Sequence, residues 1–471
     1  MAQFDTVPLP PRLPLVVKTS NRDGTFNKDA RLVNCYLETD EQGELWLYKR
    51  AGLIEALDVG VNPGQGVFYW DGDVYAIFNG SLFRNGISVP GGSGLDQTNG
   101  IYWFSSIRGA VPKMVFGNGV KTYAYDVAGG VTADLHSIDI DFPATTVKGI
   151  AYLNGATYVM NSNAEIWGSV VNSVSVDGDW SALDFINAQI EPDPGVALQK
   201  QLVYIIAFGS WSTEVFFDAG NPTGTPLGPV QGSKISYGCE HADSVQRIDD
   251  MLFWLSTSQT AAVQISVLEQ LTHRVISTKP IDRLLQASDL STIYSWQIKI
   301  NGHNFYVITV VGANLTLAYD ISEDLWHQWT DTNGNYMPII ASTYDDSNRH
   351  VLQHATNGKL YYADADYYTD AGDKIFVDIY TPIFDANTAR RKQMNLMRFV
   401  GDQERGSVLQ VRFSDNDYKS WSNFRSVRLD TKKPSLTNCG TFTRRAYHLR
   451  HWSNTPLRMQ AVDVQYDLGT L

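Results

Sequence analysis

Asp-Gly and Asn-Gly pairs set between alternating apolar runs recur along this chain, and such pairs are the strongest local signal for a tight β-hairpin. Tyr69-Trp70-Asp71-Gly72-Asp73-Val74-Tyr75 is followed by Asn79-Gly80-Ser81-Leu82-Phe83, and Tyr152-Leu153-Asn154-Gly155-Ala156-Thr157-Tyr158 by Asn163-Ala164-Glu165-Ile166-Trp167. A third copy opens at Ile300-Asn301-Gly302-His303 and runs on to Tyr319-Asp320. Weaker versions lie around Gly119, Gly209, Asp250 and Asp346, so that successive anchors stand 36 to 54 residues apart. A four-stranded propeller blade occupies roughly 40 to 50 residues. The spacing predicts an all-β fold, a β-propeller of six or seven blades over residues 67–373. Two or three separate β-sandwiches are the alternative, and the regularity of the repeat is what separates the two readings. Composition agrees with either: 12% aromatic residues, 38 glycines and only 18% charged residues belong to strands joined by tight turns.

The flanks read differently. Residues 1–66 form an N-terminal extended arm and a hairpin, because Pro8, Pro10, Pro11 and Pro14 fix φ and remove donors. The hairpin turns at Asp40-Glu41-Gln42-Gly43. Residues 374–471 resemble a basic C-terminal β-sandwich-like domain, with alternating runs at 375–384, 397–400, 408–414, 424–429 and 459–466. From Ile375 onward 15 Lys and Arg stand against 9 Asp and Glu, a local +6 that leaves residues 1–374 at −19 within a total of −13. An acidic body argues against sequence-independent gripping of DNA, which depends on cations displacing counterions. Cys35, Cys239 and Cys439 are odd in number and far apart, as expected of reduced, packed thiols in a protein synthesised in a cytoplasm. The prolines interrupt the apolar stretch that a secretory signal needs, and the most apolar segment, 305–319, is too short to cross a bilayer as a helix. Neither an export signal nor a membrane segment is expected.

Chemistry-bearing clusters are sparse. Asp364, Asp366, Asp370 and Asp373 form one acidic group, and Asn21, Asp23, Asn27 and Asp29 another; neither has the glycine and bidentate glutamate of a calcium loop, and solvated turns are expected. The nine histidines show no nucleophile or metal pairing; His350 and His354 are four apart, but on strand-like sequence. Catalytic residues, metal and cofactor are all expected to be absent. Ser414-Asp415-Asn416-Asp417-Tyr418-Lys419-Ser420-Trp421 resembles a degraded Asp-box, a structural turn of sialidase-type propellers, and Tyr319-Asp320 with Trp326 echoes a kelch-type blade. Arg444, Arg445 and Arg450, with His448 and His451, make a basic stretch read as a solvated strand edge that could grip phosphate or an acidic neighbour.

Several phrases in order resemble the packaged-DNA stabilisation proteins, or tail nozzles, of short-tailed bacteriophages. They are Arg31-Leu32-Val33-Asn34-Cys35-Tyr36 with Lys49-Arg50-Ala51-Gly52-Leu53, then Trp180-Ser181-Ala182-Leu183-Asp184-Phe185 with Ser212-Thr213-Glu214-Val215, then Gly238-Cys239 with Asp243-Ser244-Val245 and Phe253-Trp254-Leu255. Ala51 stands where family members tend to have proline. The resemblance implies a non-enzymatic virion protein of the tail, forming a homohexamer below the portal and adaptor proteins. Its channel would retain packaged genomic DNA and open for ejection, without sequence-specific binding, and tail fibre, spike or needle proteins would be further partners. Interaction candidates are Pro8, Pro10, Pro11, Arg12 and Pro14 in the arm and Arg444, Arg445 and Arg450; gate residues are not assigned. The rival class is a glycan-binding adhesin or sialidase-like glycoside hydrolase, which needs carboxylates and an arginine cluster converging on the axial pocket.

Overall fold

Hairpin follows hairpin around a closed ring. The structure is a computed structural model that describes residues 11–15, 30–221, 223–260 and 262–469. Six propeller blades are each continuous in sequence, and their first strands begin at Gly64, Trp103, Ala151, Gly195, Gly238 and Ile293. The sixth, for example, runs Ile293–Ile300, His303–Val310, Leu315–Asp320 and Leu325–Trp329, antiparallel throughout. The ring is closed by a sheet drawn from both sides of the chain: Ile339–Tyr344, His350–His354 and Lys359–Asp364 pair in order, and Gly52–Asp58 adds as the outermost partner of the last. Closure of this kind stitches the two ends of the propeller together and leaves only short edges facing the axis.

The marker turns behave as their residues require. Asp71-Gly72, Asn154-Gly155 and Asn301-Gly302 all have positive φ at both positions, the type I′ geometry that matches strand twist. Gly119 and Gly209 are not equivalent to them. Gly119 sits between the second and third strands of its blade, and Gly209 ends a second strand, whose own hairpin turns at Leu202-Val203. That displacement accounts for the uneven spacing in the sequence.

Each pair of neighbouring sheets encloses its own apolar cluster. Phe253 and Tyr306 stack at 5.1 Å between the fifth and sixth blades, and Trp326 donates to the Ile276 carbonyl at 2.9 Å across the same gap while packing on Tyr319. Trp326 is thus a core-packing aromatic between the two blades.

Beyond the ring, one further core gathers Leu13, Cys35, Leu37, Leu47, Val377, Met397, Leu449 and Val462 among others. Two sheets enclose it, and their pairing crosses the boundaries expected near residues 66 and 374. Arg31–Val33 lies between Val377–Tyr380 and the outer strand of the sixth blade, meeting the latter in parallel at Val33 and Gln328. Cys35–Thr39 and Leu45–Lys49 form the expected hairpin, its turn held by Asp40 accepting from Gln42 and Glu44, and the hairpin pairs onward with Arg458–Leu468. Arg12–Leu13 also pairs with that last strand. The basic stretch departs from its expected place: Ala446–His451 is no edge, since it pairs with Val377–Tyr380 on one side and Val408–Ser414 on the other. Its charges tolerate this because carboxylates accompany them, as described below.

Candidate functional site

The inner strands of the blades converge on an axial funnel of about 750 Å³. Its central group is Asp243, 8% exposed, which a short 3₁₀ turn (Ala242–Ser244) projects from an interruption in the inner strand of the fifth blade. His241 caps that turn by accepting from the Asp243 N–H at 3.3 Å. The Asp243 carboxylate pairs with Lys148 Nζ at 2.5 Å and accepts from Trp103 Nε1 at 3.3 Å. Lys148 also donates to the Asn99 carbonyl at 3.0 Å, and Ser295 Oγ donates to the Asp243 carbonyl at 2.5 Å. These contacts link the second, third, fifth and sixth blades across the axis. Beyond them Phe68 and Phe104 stack at 5.4 Å, and the remaining space narrows to about 160 Å³.

Chemically this is a satisfied, buried ion pair and not a catalytic constellation. Asp243 is committed to an ammonium and an indole, Glu240 is the other carboxylate lining the funnel, and no arginine is among its lining residues. The arrangement of carboxylates and clustered arginines that the glycosidase reading requires is not formed here. Among the described residues no three His, Cys, Asp or Glu side chains are grouped so as to hold a metal ion.

The acidic group at 364–373 resolves into structural roles. Asp370 forms a bidentate pair with Arg50, 1% exposed, at 2.9 and 2.5 Å, and Asp364 caps its own turn by accepting from Asp366 N–H. Arg50 further donates to Asn34 Oδ1 at 2.9 Å and to the carbonyls of Ala51 and Thr330. Asn34 in turn accepts from Thr330 N–H and donates to the Phe376 carbonyl. This guanidinium thus adds a buried side-chain clasp to the backbone pairing that Arg31–Val33 makes between the propeller and the second core. Gly52 follows because nothing larger fits: a Cβ there would lie 2.4 Å from the Thr369 carbonyl oxygen and 2.5 Å from that of Tyr367. The phrases at 31–36 and 49–53, which carry the family resemblance, hold Asn34 and Arg50 at the joint between the two cores.

The interaction candidates are placed as follows. Pro8 and Pro10, like Asn21, Asp23, Asn27 and Asp29, lie outside the described residues. Pro11 and Pro14 are exposed, and Arg12 pairs with Glu44 at 2.7 Å and Asp463 at 3.5 Å of its own chain. Arg445 is buried, clamped bidentately on Asp415 between the rings of Phe413 and Phe442. Arg450 grips Asp378 at 2.6 and 2.9 Å, and His448 binds the same carboxylate at 2.6 Å. Burial alone would push Asp378 up, but these hydrogen bonds hold it below the ordinary aspartate range. Arg444 remains half-exposed, paired with Asp417 at 2.6 Å. The Asp-box-like segment is a turn: Ser414 Oγ accepts from Tyr418 N–H, and Trp421 packs edge-on against Tyr380 and His448.

Comparison with known proteins finds one family. The profile of the phage-stabilisation family Phage_stabilise, described as "Bacteriophage P22 Gp10, beta-propeller", matches residues 28–367. No curated protein matches the chain. Similar solved structures include the extracellular domain of a hybrid two-component system of B. thetaiotaomicron, 10% identical, covering 90% of this chain and 61% of that one at a TM-score of 0.46. The computationally designed Ika8 protein is 10% identical over 66% of this chain and 99% of its own, at 0.38. A streptogramin B lyase is 10% identical over 71% and 92%, at 0.37.

Proposed function

The chain belongs to the Phage_stabilise family of bacteriophage propeller proteins, and on that premise we propose that it is a non-enzymatic structural protein of the virion tail. In this reading it forms a nozzle, a homohexameric ring below the portal and adaptor proteins that retains packaged DNA and opens for ejection. Fibre, spike or needle proteins attach to the same assembly.

The observation that carries the reading is the closed axis. Trp103 of the second blade and Lys148 of the third both reach the Asp243 carboxylate of the fifth, so the propeller's own axis is blocked by hydrogen bonds between blades. A polymer as wide as duplex DNA cannot pass there, and a genome channel has to run between copies of the chain. Its wall is then the outer surface of an acidic body, −19 over residues 1–374. Such a wall repels phosphates within a Debye length of roughly 8–10 Å and lets DNA slide without sticking. For docking to acidic neighbours, Arg398, Arg405, Lys432 and Lys433 are exposed and form no ion pair among the described residues, unlike Arg445 and Arg450.

The test is a reconstruction of particles carrying this chain, or of the purified protein mixed with portal and adaptor. The expected image is a ring of subunits with DNA density ending at or above it and with carboxylates facing the lumen. A lumen lined by basic side chains would remove the electrostatic part, and isolated subunits without portal contact would remove the nozzle. Deleting residues 1–14 and finding assembly unchanged would remove the arm from the docking surface. The glycan-binding or glycoside hydrolase alternative predicts instead that the isolated subunit binds sugar, which a glycan screen decides.

A further inference from the structure

The end of the propeller opposite the funnel carries a second cavity, and its chemistry is of the other sign. The funnel is lined by Thr292 and Tyr294 at the start of the Ile293–Ile300 strand, and this cavity by Gln297 and Lys299 at its end. It measures about 610 Å³, within the usual size of small-molecule sites, and opens between the fifth and sixth blades and the closing sheet.

Three observations point to an anion. Arg247 and Lys299 both line the cavity, and neither is ion-paired with a carboxylate among the described residues; the Arg247 contact is from Nε to the Asp249 backbone carbonyl at 3.3 Å. Lys200, on the neighbouring inner strand, is held below the ordinary lysine range by burial and then by repulsion from Arg247. Arg247 and Lys299 outnumber the carboxylates of the lining, and the excess positive charge, in a chain of net −13, is one that a bound anion offsets.

His350 provides the third. Its Nε2 accepts the Lys299 N–H at 2.8 Å, which puts the proton of the neutral ring on Nδ1. That Nδ1 has no hydrogen-bond partner, although His350 is only 5% exposed and lines the cavity. A buried donor left unmade is costly, and a ligand oxygen that reached it through a small shift of the ring would remove that cost. Asp249 also lines the cavity, its carboxylate accepting from Asn304 Nδ2 at 3.2 Å, so one net positive charge remains from the lining residues.

We propose that this cavity binds a phosphate group, carried by a free nucleotide or by a nucleic-acid strand, with Arg247 and Lys299 as its cations and His350 as its neutral donor. Arginine's planar fork matches phosphate bidentately, and a phosphate offers a third acceptor oxygen for the imidazole that a carboxylate lacks. The volume exceeds that of a lone anion and leaves room for the attached sugar and base. The site is independent of ring assembly and of the nozzle reading.

The test is titration calorimetry on the full chain with dAMP, deoxyadenosine, inorganic phosphate, glutamate and a 5′-phosphorylated single-stranded octanucleotide. The expected result is that dAMP and inorganic phosphate bind and deoxyadenosine does not. Replacing Arg247→Gln with Lys299→Gln, both exposed positions, weakens dAMP at least tenfold, while Lys433→Gln, which removes an exposed charge elsewhere, leaves it unchanged. An octanucleotide that binds more tightly than dAMP, and loses this in the double variant, makes the ligand a strand; the reverse order makes it a nucleotide. Equal weakening by Lys433→Gln would reduce the effect to diffuse attraction and overturn the site. Deoxyadenosine or glutamate binding as well as dAMP, or no binding at millimolar dAMP, would overturn it too.

Discussion

Asp370→Asn is the change that most directly tests how the two cores are joined. It keeps the shape of the side chain and removes the charge facing Arg50, whose guanidinium is 1% exposed and has no other carboxylate partner in its set of hydrogen bonds. Removing one member of a buried pair costs about 3–5 kcal/mol because the other charge is left uncompensated. Water reaches the Asp370 side of this pair, 17% exposed, so the lower end applies and a loss of about 3 kcal/mol is expected. Arg50→Met leaves Asp370 to water but strips the Thr330 and Ala51 carbonyls of a donor, at about 1–3 kcal/mol for each buried group left unsatisfied. The double variant has no buried charge to strand. Its destabilisation should fall short of the summed singles by about 2 kcal/mol, within the usual range for directly contacting residues. Urea unfolding followed by tryptophan fluorescence gives the three values, and hydrogen exchange should show faster opening at 31–39 in Asp370→Asn while 293–310 stays protected. Additivity within about 0.5 kcal/mol would refute the coupled-joint argument.

Gly52→Ala meets backbone oxygens at 2.4 and 2.5 Å, whereas Gly302→Ala meets nothing within 4 Å and bears only the strain of φ +87°; melting scans should show a loss of more than 2 kcal/mol for the first and about 1 kcal/mol for the second. Burial lowers His327, His350 and His354 to about 4 and His451 to about 3, so the unfolded chain binds more protons than the folded one below the ordinary value of 6.5. Stability is therefore full above pH 6.5 and is lost as pH falls from there toward 4, and His327→Gln should flatten the slope of stability against pH across that window. His303, raised by its bond to Asp320 despite burial, works against that slope, so removing it should steepen the same curve. Burial raises the Cys35 thiol and takes that of Cys239 up to about 12, so both should resist a thiol reagent in native buffer and react once urea unfolds the chain.

The ring was legible because its signals are local. An Asn-Gly pair such as Asn154-Gly155 states its own geometry, since only residues that tolerate positive φ form the turn. Gly119 and Gly209 misled by the same token: a glycine marks some sharp turn, not which hairpin of the blade it serves. What stayed hidden depends on partners distant in sequence. Arg444, Arg445 and Arg450 look like a free basic patch when read alone, and only the fold brings Asp415, Asp417 and Asp378 to them. Asp370 likewise reads as one acid in a cluster, while its partner Arg50 is 320 residues away. The Lys148–Asp243 pair is spread over two blades and has no spacing rule that could reveal it. Cross-ring pairs are set by closure of the propeller, and closure is not written in any one repeat.

That same closure constrains how the molecule can work in an assembly. A ring whose last sheet takes Gly52–Asp58 from the other side of the propeller is held shut by backbone pairing, so its two ends part only if that ladder breaks. The axial carboxylate is equally committed, bound to an ammonium and an indole from two other blades. Opening the axis would break that buried pair and strand both charges, which makes the propeller a poor gate in itself. In the proposed nozzle, movement that lets DNA pass is then expected between subunits, or where the second core meets the ring, a joint made by the Arg50–Asp370 pair together with Arg31–Val33 bridging the sixth blade and Val377–Tyr380. A covalent or metal clamp that froze the joint while leaving subunit contacts free would separate the two: ejection blocked by it places the hinge within the chain, and ejection undisturbed places the motion between copies.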